Sequence, residues 1–198
     1  MTAAAPTVPI RPRQAIGLAL LATLIGAAVT WALLDGIGWR WEVVGYWVWI
    51  AGLVALSWID ARTQRLPRRL IWLTAAVGAP WLVIGALVHH QPERLFWAVG
   101  TAATFAVVMA GLYALSRGGL GFGDVRLAPL LGLFLGYLSW RTAAVGLFLG
   151  FGLGALGGIL GVATRRLRLR SHIAFGPYLC AGSVVAILLS VRGFAVAG

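Results

Sequence analysis

Asp60 and Asp124 are the residues of this sequence with chemistry to offer. A lone carboxylate does little to a peptide bond, but two can divide the work. One, ionised, takes a proton from a water; the other, protonated, polarises the carbonyl that the water attacks. Two carboxylates a few ångströms apart cannot both ionise cheaply, so they share a proton and titrate as a pair. Such a dyad needs neither a metal nor a nucleophilic side chain. Whether these two aspartates meet is decided by the elements that carry them.

Those elements belong to a bilayer. The chain has 198 residues, of which 61% are hydrophobic and 11% charged, with a mean hydropathy of +0.92. That lies outside the range of soluble globular domains. Its 16 basic residues are all arginine and exceed its 5 acids, giving a formal charge of +11. The arginines sit in short clusters between apolar runs, as orientation signals do, which argues against nucleic acid as a partner.

A helix needs about 20 apolar residues to cross the hydrocarbon. Seven apolar blocks are predicted to do so, at 15–34, 43–60, 70–88, 95–115, 127–140, 142–164 and 173–191, after a polar cytoplasmic tail at 1–14. The expected fold is all-α and polytopic, with one transmembrane domain over 15–198 and no linker long enough for a second. With the N-terminus inside, twelve arginines face the cytoplasm and four, Arg40, Arg94, Arg141 and Arg192, face out. That bias follows the positive-inside rule and requires the fifth block to cross. Its uncharged part, Leu127 to Leu138, is only about 18 Å long. Either the bilayer thins there or the helix starts earlier, which would recess Asp124.

Gly146, Gly150, Gly154 and Gly158 recur every four residues on one face of the sixth block, a pattern for close helix packing in lipid. Trp31, Trp39, Trp41, Trp47 and Trp49 fall near the outer ends of the first two helices, as an interfacial belt would. On this topology Asp35, Glu42 and Glu93 lie in outer breaks, leaving Asp60 and Asp124 as the cytoplasmic pair. Each of the two could instead cap a helix end or pair with a nearby arginine, Asp60 with Arg62 and Asp124 with Arg126. Ionisable groups at membrane depth are functional candidates nonetheless.

Three stretches add a resemblance. "GLGFGDVRLAPLLGLFLGY", which contains "GFGD" at Gly121 to Asp124, resembles the second catalytic segment of the type IV prepilin leader peptidases, which carry the GxGD signature of membrane aspartic proteases. "WIDARTQRLP" resembles their first catalytic segment, with Pro67 seven positions after Asp60, and "IAFGPYLCAG" is similar to the Phe-Gly-Pro stretch opening their last helix. Presenilin-type proteases also carry GxGD, but the last helix here has no Pro-Ala-Leu motif.

The resemblance implies a peptidase that removes the short basic leader of prepilin or pseudopilin precursors at the cytoplasmic (inner) membrane face, with Asp60 and Asp124 catalytic. It implies no cofactor and no metal. Gly121 and Gly123 would give the backbone freedom for close approach to substrate, or simply form a turn before a helix. Arg126 takes the place of the family's usual lysine, with an electrostatic or a merely topological role. "LPRR" stands where the family often has an acid after the proline. Larger members carry an N-terminal cysteine-rich domain associated with methylation; the chain has neither room nor cysteines for it, which implies peptidase without methyltransferase activity.

His89 and His90 lie beside Glu93 in an outer turn, and His172 is predicted on the opposite face, so an ordinary exposed loop is expected rather than a metal site. Cys180, the single cysteine, is expected to pack as a small apolar residue. A rival reading is a small ion- or proton-coupled transporter component with the aspartates on its path; another is a scaffold in which both are structural.

Overall fold

The computed structural model describes residues 12–37, 41–64, 66–116, 120–164 and 175–190. Seven helices make up the described chain: α1 (Pro12–Ile37), α2 (Glu42–Thr63), α3 (Arg68–Val88), α4 (Glu93–Leu115), α5 (Phe122–Leu138), α6 (Trp140–Ala163) and α7 (Gly176–Ser190). Glu42–Thr63, Arg68–Val88, Glu93–Leu115 and Trp140–Gly161 are long and apolar enough to cross a membrane, and shorter apolar helices accompany them. The protein is all-α and polytopic, as its hydropathy predicts. Trp39, His172, Gly118, Gly119 and the arginines at 165–170 lie outside the described residues.

α5 is the centre of the bundle. It packs on α4 and also touches α3, α6 and α7. Leu127, Ala128, Leu130, Leu131, Phe134 and Leu135 are all buried, which is why its sequence is apolar all round. The helix starts at Phe122, five residues before the uncharged run, and its 17 residues rise about 26 Å. Being sheathed in other helices, it need not match the full hydrocarbon thickness, and Asp124 falls in its first turn.

Glycines let neighbouring backbones approach. A Cβ on Gly45 of α2 would stand 2.8 Å from the Gly78 oxygen of α3, and one on Gly132 of α5 would stand 2.8 Å from the Thr101 oxygen of α4. The Thr101 hydroxyl donates to the Gly132 carbonyl at 2.8 Å, tying the same pair of helices. On α6, Gly146 faces Leu135 and Ser183, Gly150 faces Leu179, and Gly154 holds the Phe175 ring. Gly182 of α7 in turn lies directly on the backbone of Gly150. Gly146, Gly150 and Gly154, three of the four glycines at that spacing on α6, form a packing seam.

Two outer-end expectations are corrected. Trp49 is not interfacial: it is 0% exposed and stacks on Phe134 with ring centroids 5.4 Å apart. Two turns of helix separate it from the interface, and the ring fills the α2–α5 contact. Glu42, assigned to a polar break, is the first residue of α2 and only 4% exposed. The Tyr137 hydroxyl donates to its Oε1 at 2.9 Å, and His89 Nε2 stands 3.9 Å from its Oε2. The exposed turn expected at His89 is thus partly a lid over a buried carboxylate; His90 beside it is exposed.

Candidate active site

Asp60 sits in the last turn of α2. The helix ends four residues later at Gln64, whose left-handed backbone (φ 51°) returns an N–H to the Asp60 carbonyl at 2.8 Å. Pro67 then starts α3, its fixed φ suiting a helix entrance. The Asp60 side chain is thereby held on a helix end that cannot extend, and it is 4% exposed.

Asp124 enters from the opposite end of its helix. Gly121 is the N-cap of α5 and accepts from the Asp124 N–H at 3.1 Å. Its backbone is extended (φ −70°, ψ 133°), so what the glycine contributes is space rather than an unusual conformation. A Cβ there would stand 3.1 Å from Asp124 Oδ2. Gly123 makes room differently: a Cβ would meet Leu66 at 3.0 Å, pressing α5 away from the α2–α3 turn. Asp124 is 5% exposed.

The two carboxylates meet at the start of α7. The Gly176 N–H donates to Asp60 Oδ2 at 3.1 Å, one of the first-turn donors that a helix cannot satisfy internally. A Cβ on Gly176 would stand 2.6 Å from that oxygen and 3.5 Å from Asp124 Oδ1. Both carboxylates therefore face one point. Their oxygens lie at most about 6 Å apart.

Neither aspartate is paired with an arginine among the described residues. Arg62 lies over the Trp58 ring at 4.2 Å and Arg126 over the Phe122 ring at 4.4 Å. Arg126 is exposed. The simple ion-pair alternative is thus absent, and two buried acids facing one another can pass a proton between water and substrate. Gly176 was the residue missed from sequence: "FGP" marked a helix start, but nothing local shows that the first N–H of that helix reaches a carboxylate 116 positions away. Cys180, one turn further on, is buried in the apolar core, as expected. Among the described residues no group of three or more potential metal ligands gathers.

The chain is 28% identical over 176 residues to a prepilin leader peptidase/N-methyltransferase of Pseudomonas aeruginosa, covering 85% of this chain and 56% of that protein. It is 30% identical over 141 residues to the protein of the same name in Bacillus subtilis (71% and 54%). A third, from Neisseria gonorrhoeae, is 30% identical over 166 residues (81% and 52%). The chain thus spans a little over half the length of these curated relatives. No solved structure matches it. The model of the type IV leader peptidase family matches residues 47–162, a stretch that carries both aspartates, and the chain belongs to that family.

Proposed function

We propose that the chain is an aspartic endopeptidase, a single transmembrane peptidase domain over 15–198 that removes the leader from prepilin or pseudopilin precursors. The observation that carries this reading is the convergence of Asp60 and Asp124 on the N-terminus of α7, with both side chains buried. In the reaction the ionised carboxylate accepts a proton from the water between them, and the water oxygen attacks the scissile carbonyl. The second carboxylate gives its proton to the carbonyl oxygen. When the tetrahedral adduct collapses, that proton returns, the C–N bond breaks and the leaving amine takes the proton first removed from water. The Gly176 N–H holds Asp60 in place throughout.

Placement in the inner membrane with the dyad facing the cytoplasm is supported by the twelve-to-four arginine bias. An apolar groove of about 390 Å³ between α1, α2 and α7 runs beside the dyad, with Ser57 and Ala61 on the helix of Asp60 and Pro177 next to Gly176. It suits the apolar segment that follows a leader. Gly121, exposed at the start of α5, would admit the strand to be cut; the space at Gly123 is taken by Leu66 and Arg126 lies over Phe122, so neither contacts the substrate in this reading.

The test uses the purified full chain in detergent with a synthetic precursor that carries a basic leader followed by an apolar segment. Mass spectrometry should find one cut, at the leader boundary. An intact precursor, or cuts scattered along it, would remove the support for this reading.

A further inference from the structure

A second groove, of about 480 Å³, opens between α3, α4 and α5. α3 and α5 both begin at the end of the bundle that holds the dyad. Arg68, the first residue of α3, and Arg126, the fifth of α5, both line the groove, each at the head of a stripe down its helix. Below Arg68 come Ile71 and Ala75; below Arg126 come Pro129 and Leu133; Ala102 of α4 borders the groove. Each stripe descends seven residues, about 10 Å. Neither arginine forms an ion pair among the described residues: Arg126 lies over Phe122, and the two acids at this end turn toward Gly176 instead. The result is an apolar slot in the membrane with two uncompensated guanidinium groups at its mouth.

We infer that this groove is a binding site for an anionic phospholipid, its phosphate between Arg68 and Arg126 and an acyl chain lying along α3 and α5. Charge complementarity selects the occupant. Guanidinium groups match phosphate oxygens in pairs, whereas a basic leader would be repelled, and a free anion would leave the apolar slot uncovered. The small side chains of Ala75 and Ala102 leave width for a hydrocarbon chain. Val125 and Arg126 of the groove's lining follow Asp124 directly in sequence, but Asp60, Asp124 and Gly176 do not line the groove, and the lipid reading does not depend on the peptidase reading.

Native mass spectrometry of the full chain, released from micelles containing equal phosphatidylglycerol and phosphatidylcholine, tests it. Wild type should retain phosphatidylglycerol preferentially, and each of Arg68→Gln and Arg126→Gln should cut that preference by about fivefold. Ala75→Trp keeps both arginines but fills the slot, and should lose the bound lipid as well. Arg62→Gln and Arg141→Gln, made singly, each remove the same charge elsewhere and should keep it. Thermal melting of each variant shows that it is folded. Equal retention of the two lipids by wild type overturns the site. So does an unchanged preference in the Arg68 and Arg126 variants, or an equal loss in either the Arg62 or the Arg141 control. Displacement of the lipid by inorganic phosphate alone would reduce it to an anion site without an acyl slot, and would also overturn it.

Discussion

The Gly176 N–H donates to Asp60 Oδ2 at 3.1 Å, joining the first residue of the last helix to the last turn of the second. This bond makes α7 a part of the candidate active site rather than a wall beside it. The N-terminal end of α7, with its unsatisfied donors and partial positive charge, is brought to the carboxylate that it orients.

Gly176→Ala tests that relationship. The new methyl would stand 2.6 Å from Asp60 Oδ2, so the carboxylate must shift from its place. Leader cleavage should fall by about 100-fold, in kcat more than in KM, because misplacing a reacting group by about 1 Å costs that much. Single-turnover cleavage of the synthetic precursor measures it. An alanine variant with wild-type kcat would show that Gly176 does not position Asp60.

Gly182→Val acts on the same site from a distance. Its side chain would be forced into the Gly150 backbone and to 2.9 Å or less from the Gly146 oxygen, prising α7 off α6. Overpacking of this kind costs about 1–3 kcal/mol. A lower melting temperature should accompany reduced cleavage, since the start of α7 moves with its seam. Unchanged melting would contradict the seam described here.

Most of the architecture could be read from the chain because membrane spans announce themselves by composition. The helix count and the packing face of α6 followed from apolar runs and residue spacing, while Glu42, sorted into an outer polar break, is buried at the head of α2. What could not be read depends on partners far along the chain. Asp124 and Arg126 looked like a break before the fifth helix, yet Asp124 is buried within it because Gly176 and Asp60 close over it. Trp49 carries the composition of an interfacial residue, and only its stacking on Phe134 makes it core. Gly121 and Gly123 suggested unusual backbone; their value is the room they leave for Asp124 and Leu66.

Glu42 and Tyr137 provide a prediction about stability alone. Tyr137→Phe leaves the buried Glu42 Oε1 without its 2.9 Å donor, a loss of about 1–3 kcal/mol. Eighteen residues of α2, about 27 Å, separate Glu42 from Asp60. Melting should fall while the cleavage rate per folded molecule stays at the wild-type value. A collapse of kcat in folded Tyr137→Phe would mean that the two ends of the bundle are coupled.

The central claim is that Asp60 and Asp124 act together on a peptide bond. The most direct measurement is cleavage of a co-expressed prepilin-like precursor by wild type, Asp60→Asn and Asp124→Asn, with membrane insertion of all three verified. Asparagine keeps the shape of each side chain and removes the proton chemistry. Wild type should release the leader and neither variant should; equal processing by all three would contradict the dyad.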